Sequence, residues 1–320
     1  MTFTLPYKPR AIWTGSLAGM SAMAAAMVLL PLGDTLSKLL TENLNPIEVT
    51  TGRVLAQAAF LLPAAALLRK RLRGAMFSPV VALSGLLVVI TLICLIGAFA
   101  VMPIATAIAI FFVEPLFLTV LAGPLLGETV GPRRLAAVGV GLVGALIVIR
   151  PGAEFEIAAL LPLLAAASYA LNMIVLRRAS RTRSGLTIQC GATIYASIGM
   201  IVLSFGLRET GVVTPDPDTL PASAWALMLG SGAFAAASYV LIAEAFRRAE
   251  ASLLAPFQYL EIIGATAAGF LVFGDFPDAM TWTGIAIILT SGLYVVLRER
   301  SRAPASLEPM GHRSRRIRPR

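Results

Sequence analysis

One histidine and two cysteines in 320 residues leave little room for the commoner kinds of enzyme. The histidine, His312, sits in a polar C-terminal tail, so no imidazole is available inside any apolar segment. Cys94 and Cys190 fall within apolar runs and lack metal-ligand spacing, so they read as small buried hydrophobes. Neither a metal nor a cofactor is expected. No G-x-x-x-x-G-K-[ST] loop occurs, so the chain has no phosphate cradle with which to couple ATP directly. Charge is scarce as well. Charged residues make up 13% of the chain, against about 25% in a soluble domain. So few charges cannot cover the surface of a water-soluble fold.

Apolar residues reach 58% and the mean hydropathy is +0.83, which marks a chain solvated by lipid. A bilayer crossing takes about 20 apolar residues. Ten apolar stretches can be traced, at 14–37, 47–68, 79–99, 103–126, 133–149, 156–176, 186–206, 222–245, 251–273 and 280–297. Each is expected to be helical, because an open backbone amide finds no water in hydrocarbon. The first stretch imitates a signal peptide, with Lys8 and Arg10 ahead of it. Its apolar run is too long for one and continues past Pro31, so it is read as a retained helix. The fold class is therefore an all-α integral membrane protein with ten transmembrane helices.

The net charge of +9 would suggest nucleic acid in a soluble protein, but the arginines sit in short clusters between apolar runs. That is the pattern of cytoplasmic loops. With a cytoplasmic N-terminus, 22 of the 26 Lys and Arg fall on the cytoplasmic side. The positive-inside rule then puts both termini in the cytoplasm of a bacterial-type inner membrane. The partners expected are the lipid bilayer and a small molecule, with protons as a coupling ion and no nucleic acid. The tail 301–320 carries arginine, proline and serine without an apolar face. It is expected to be disordered and drawn to anionic headgroups.

Sliding the chain along itself aligns Glu114 with Glu261, and Leu126-Gly127-Glu128 with Phe273-Gly274-Asp275, at one offset of 147. Ile149-Arg150-Pro151-Gly152 falls opposite Val296-Leu297-Arg298-Glu299, and Ala105 opposite Ser252. Five spans separate the copies, so the halves enter the membrane with opposite topology, as in secondary transporters. The expected organisation is a first five-helix repeat at 1–152, a second at 153–300, and the basic tail at 301–320.

The segment 103–152 carries Phe112-Val113-Glu114-Pro115-Leu116, Leu126-Gly127-Glu128, Gly141-Leu142-Val143-Gly144 and Arg150-Pro151-Gly152. The second copy carries Ala255-Pro256-Phe257-Gln258-Tyr259, Phe273-Gly274-Asp275, Gly284 and Gly292. From about 14 to 300 the chain resembles the drug/metabolite transporter superfamily, and within it the ten-span proteins with two EamA repeats. The resemblance implies a metabolite carrier with both ends cytoplasmic. It also implies cargoes such as riboflavin, S-adenosylmethionine or amino acids.

Glu114 and Glu261 are the leading candidates for substrate binding or coupling, each near the middle of its span. A charged acid at a helix centre costs about 2.5–3.5 kcal/mol to insert. Such a residue is expected to face a cavity, pair with a cation or hold a proton; the alternative is an interhelical hydrogen bond. Pro115 withholds the amide that would meet the carbonyl of Phe111, so a kink is expected there. Pro256 reads as a first-turn proline. Asp34 and Lys38 share a face of the first span, near Arg53. Together they suggest an outer gate or carboxylate-recognition site, or a local salt-bridge cluster with a snorkelling lysine. Tyr169, Asn172, Tyr195, Tyr239, Gln258 and Tyr259 are candidate lining, and Asn172, three residues from Tyr169, is expected to point inward. Ala137, Gly141 and Ala145, and Gly264 with Ala268, read as packing stripes.

The expected function is secondary transport of a small organic metabolite by alternating access, coupled to protons or to exchange. The lining favours a planar vitamin-like cargo such as riboflavin; S-adenosylmethionine or an amino acid, carried in or out, is the alternative. An intramembrane enzyme would need paired catalytic groups that the spans do not offer. A non-transporting sensor or scaffold would not require inverted symmetry with central carboxylates.

Overall fold

The computed structural model describes residues 10–127, 131–150, 157–208, 220–249 and 251–300. The tail 301–320 with His312, and the motif residues Glu128, Pro151 and Gly152, lie outside the described residues. Twelve α-helices follow in order: α1 (Arg10–Thr41), α2 (Pro46–Leu67), α3 (Pro79–Val101), α4 (Ile104–Phe111), α5 (Glu114–Leu126), α6 (Pro132–Ile149), α7 (Leu160–Ala179), α8 (Gly185–Arg208), α9 (Ala222–Arg248), α10 (Ala251–Gln258), α11 (Leu260–Phe273) and α12 (Ala279–Arg300). Among the described residues there is no strand. Among the described residues, nine helical segments are long and apolar enough to cross a membrane, and Ala279–Val295 adds a shorter apolar helix. Large apolar side chains such as Val202, Phe205 and Leu271 stand on the outer surface, where lipid can solvate them.

Local chemistry sets the helix ends. Asn45 opens α2 with a reciprocal capping box in which its side chain meets the Ile47 amide and Glu48 returns to the Asn45 amide. Gly127 ends α5 and Gly274 ends α11, both left-handed, at φ 71° and 73°. That conformation strains any residue with a Cβ, so glycine at both positions explains why the two helices stop at equivalent points. The other end of the proposed repeat diverges. Arg150 caps α6 in a left-handed conformation, whereas α12 runs through Leu297 to Arg300. Pro151 cannot continue α6, and α12 has no proline at the matching place.

The helix packings recur with the two halves of the chain exchanged. The α1–α9 contact matches α7–α3, α2–α9 matches α8–α3, and α1 against α10 and α11 matches α7 against α4 and α5. The α2–α8 and α6–α12 pairs each join a helix to its counterpart. The α6–α12 seam depends on small residues. Ser291 Oγ donates to the Ala137 carbonyl at 2.6 Å, and a Cβ on Gly284 would lie 2.8 Å from the Gly144 carbonyl oxygen. The expected packing role of the glycine and alanine stripes therefore holds here, and Ala145 is buried in the same core. Cys94 and Cys190 are free and buried, as small hydrophobes.

Candidate functional site

Neither central acid sits in an uninterrupted helix. Glu114 is the first residue of α5 and Glu261 lies in the first turn of α11. Each acid lies near the middle of its apolar span, and the kink expected beside Glu114 is present: each span is two helices in line, with the acid in the first turn of the second. Phe112 and Val113 stay near helical angles, at φ −67° and −70°, so the interruption is shallow. Pro115 explains it, since it has no N–H for the Phe111 carbonyl. The partner break at Tyr259 has no such proline after it. Pro256 instead lies inside α10, not in its first turn. The N-terminal half-charge of each helix favours a carboxylate placed there.

Packing carries α11 to α1. Gly264, one turn past Glu261, lies against Pro31, and a Cβ there would stand 2.9 Å from the Pro31 ring. One turn beyond Pro31 is Asp34, buried at 4% exposure, as is Arg53. Arg53 Nη1 donates to Asp34 Oδ1 at 2.7 Å and to Ser37 Oγ at 3.0 Å. The electrostatic neighbours of Glu261 are Asp34 and Arg53. Those of Tyr239 are Arg53, Asp34 and Glu261, those of Tyr169 are Tyr239, Glu114 and Glu261, and Tyr259 senses Glu114. Seven residues singled out from sequence thus share one electrostatic neighbourhood, Asp34, Arg53, Glu114, Tyr169, Tyr239, Tyr259 and Glu261, and within it Asp34 and Arg53 are in direct hydrogen-bond contact.

Two polar atoms in this network are buried without a hydrogen-bond partner, Arg53 Nε and Glu114 Oε1. One is a donor and the other an acceptor, and leaving either unmade costs about 1–3 kcal/mol. Aromatic rings frame it: Phe111 lies 5.5 Å from Tyr169 and Phe112 lies 5.6 Å from Tyr259. Those two phenylalanines stand two and three residues before Glu114, a signal in the sequence that singling out polar residues passed over.

Three expected residues stand elsewhere. Asn172 is buried, but its Oδ1 accepts from Ser84 Oγ at 2.6 Å in the α3–α7 seam. Gln258 is exposed at the end of α10. Tyr195 packs edge-on against Phe77, away from the acids. Lys38 does not join Asp34; it reaches Asp275 instead. Among the described residues no cluster of His, Cys, Asp and Glu is arranged to hold a metal ion.

A bundle of apolar helices enclosing a buried polar network at two helix breaks defines a multi-pass membrane transporter. The chain belongs to the EamA-like transporter family, whose model matches twice, at residues 17–150 and 156–297. It is 31% identical over 214 residues to a riboflavin transporter of Rhizobium johnstonii, covering 66% of this chain and 68% of that protein. It is 30% identical over 268 residues to an S-adenosylmethionine uptake transporter of Rickettsia bellii, covering 83% of this chain and 89% of that protein. A solved crystal structure shares the fold at a TM-score of 0.57 and 19% identity, covering 91% of this chain and 99% of the other. The family and these relatives are named as transporters, not enzymes.

Proposed function

We propose that this chain is a secondary carrier that moves a small planar, vitamin-like metabolite, with riboflavin as the leading cargo, by alternating access. The network joining both central acids to three tyrosines and the Asp34–Arg53 pair carries the reading. It offers what an organic cargo needs: aromatic faces, phenol donors and a few fixed polar groups. Glu114 and Glu261 are the coupling residues, exchanging protons or cargo. Asn172 and Gln258 act at the margins, one through helix packing and the other at an exposed helix end.

The carrier is read as ten spans in two inverted five-helix repeats, 1–152 and 153–300, with α12 as the tenth. The exchange of packings between halves and the two family matches support this. Both termini are read as cytoplasmic from the distribution of basic loops. A reporter fused after residue 320 should therefore be active only in the cytoplasm.

S-adenosylmethionine is the second reading. The aligned relatives named for it span 83% to 89% of this chain, and the unpartnered Glu114 oxygen suits a cationic cargo. A ligand panel of flavins, S-adenosylmethionine, nucleosides and amino acids, read as melting-temperature shifts of purified protein, separates the two. Riboflavin is expected to give the largest shift and to support counterflow in liposomes. A panel without any shift, or with amino acids alone active, removes the reading.

A further inference from the structure

Lys38, whose sequence context fits an outer gate or a snorkelling side chain, touches three elements at once. Its Nζ donates to Asp275 Oδ2 at 3.2 Å, just past the end of α11. It also donates to the Met102 carbonyl at 3.1 Å, in the link between α3 and α4. The same ammonium stands 4.7 Å from the centre of the Phe273 ring, the last residue of α11. The side chain is largely buried, at 15% exposure. A charge held by a carboxylate, a carbonyl and an aromatic face ties α1, α4 and α11 together at one end of the bundle.

That end is also where the two broken spans close on each other. Helix α4 packs against α11 there, and no comparable packing joins their counterparts α10 and α5 at the opposite end. Burial follows the same division. Six residues of α4 are buried, namely Ile104, Ala105, Ala107, Ile108, Ala109 and Ile110. Among the described side chains of α10 only Leu254 is buried, and Pro256 and Gln258 are exposed. On α7, Arg178 donates to the carbonyl of Leu125 near the end of α5.

We propose that Lys38 is a positioning residue for transport: with Asp275 and the Met102 carbonyl it latches one end of the carrier shut, leaving the central network open between α5 and α10. Opening at the Lys38 end requires the ammonium to leave both oxygens, so the latch sets how often the far side is reached. This rests on the alternating-access reading above, but not on the identity of the cargo.

The test uses single cysteines in a background with Cys94 and Cys190 replaced by alanine, labelled in oriented vesicles with a membrane-impermeant maleimide. Gln258→Cys should react from the face carrying the Arg69–Arg73 loop, and Ala105→Cys should be protected. Lys38→Met should make Ala105→Cys react from the opposite face about tenfold faster, the population shift that one hydrogen bond to a charged group holds back. Lys38→Arg should restore protection. Asp275→Asn, at a half-exposed carboxylate that folding tolerates, should reproduce the Lys38→Met result. Equal reactivity of Ala105→Cys and Gln258→Cys in the parent would overturn the proposal, as would unchanged protection in Lys38→Met and Asp275→Asn. Loss of ligand-induced melting shifts with the labelling pattern intact would count against the cargo site and leave the latch standing.

Discussion

Arg53 and Asp34 are each about 4% exposed, and their contact is a single 2.7 Å hydrogen bond with Ser37 as a further acceptor. Replacing Arg53 by methionine leaves a buried carboxylate without its cation, and removing one partner of a buried pair costs about 3–5 kcal/mol. In a chain of this size that is a fall in melting temperature on the order of 10 °C. Asp34→Asn in the same chain removes the stranded charge and should restore most of the loss, giving a coupling energy of at least about 2 kcal/mol. Unfolding can be followed by a thiol-reactive dye, since Cys94 and Cys190 are both buried in the folded protein. The double variant also separates two roles. If the pair only holds α1 to α2, the double variant transports normally; if it contacts cargo, it folds and does not transport. A single Arg53→Met variant that melts with wild type, or a double variant damaged by the sum of the two singles, would refute the electrostatic reasoning.

Glu114→Gln and Glu261→Gln keep the shape of each side chain and remove its charge, so each should insert normally and lose coupling. Wild-type transport with unchanged pH dependence in both variants would remove the acids from the mechanism. Gly284→Ala should lower the melting temperature, because its Cβ would meet Val148 at 2.5 Å and the Gly144 carbonyl at 2.8 Å. Overpacking costs about 1–3 kcal/mol there, against a helix-propensity gain of about 1 kcal/mol. Gly139→Ala, with nothing within 4 Å, should raise the melting temperature by the propensity gain alone. At the α6–α12 end, hydrogen bonds from Arg150, and then from Thr281, hold Asp278 below the usual carboxylate range. Because the folded-state value is the lower one, the pair's contribution to stability is full above pH about 4, the unfolded value, and is lost as pH falls from there through the folded value. The melting deficit of Asp278→Asn in nanodiscs should therefore be flat from pH 8 to 5 and shrink below about pH 4.

The spans were legible because hydrocarbon tolerates so little else: a run of some 20 apolar residues has almost one possible structure. Gly127 and Gly274 were legible as a repeated pair, and their shared left-handed angles give that match a structural cause. The breaks at Glu114 and Tyr259 were half legible. Pro115 announced a kink, but the matching interruption at Tyr259 has no proline immediately after it to announce it. The destination of Lys38 was hidden for another reason. Its spacing from Asp34 is that of an i,i+4 pair, yet Asp34 is taken by Arg53 from α2, which freed the lysine for α11 and the α3–α4 link. Asn172 points inward as expected, and the partner a buried amide must find is Ser84 of α3, which spacing along one helix could not display.

The two halves supply one acid each, but their other contributions differ. Asp34 and Arg53 come from α1 and α2, whereas Tyr169, Tyr239 and Tyr259 all come from the second half. Equal walls would accept a cargo in either of two orientations related by the exchange of halves. Unlike walls allow one. Here the first half contributes an ion pair with a spare guanidinium N–H, and the second half contributes phenols. In the proposed carrier, a cargo with a flat face and a hydrogen-bonding edge is held with its edge toward Arg53 and its face toward the tyrosines. In that proposal the duplicated scaffold would supply the movement, and the divergence of its two linings the selectivity.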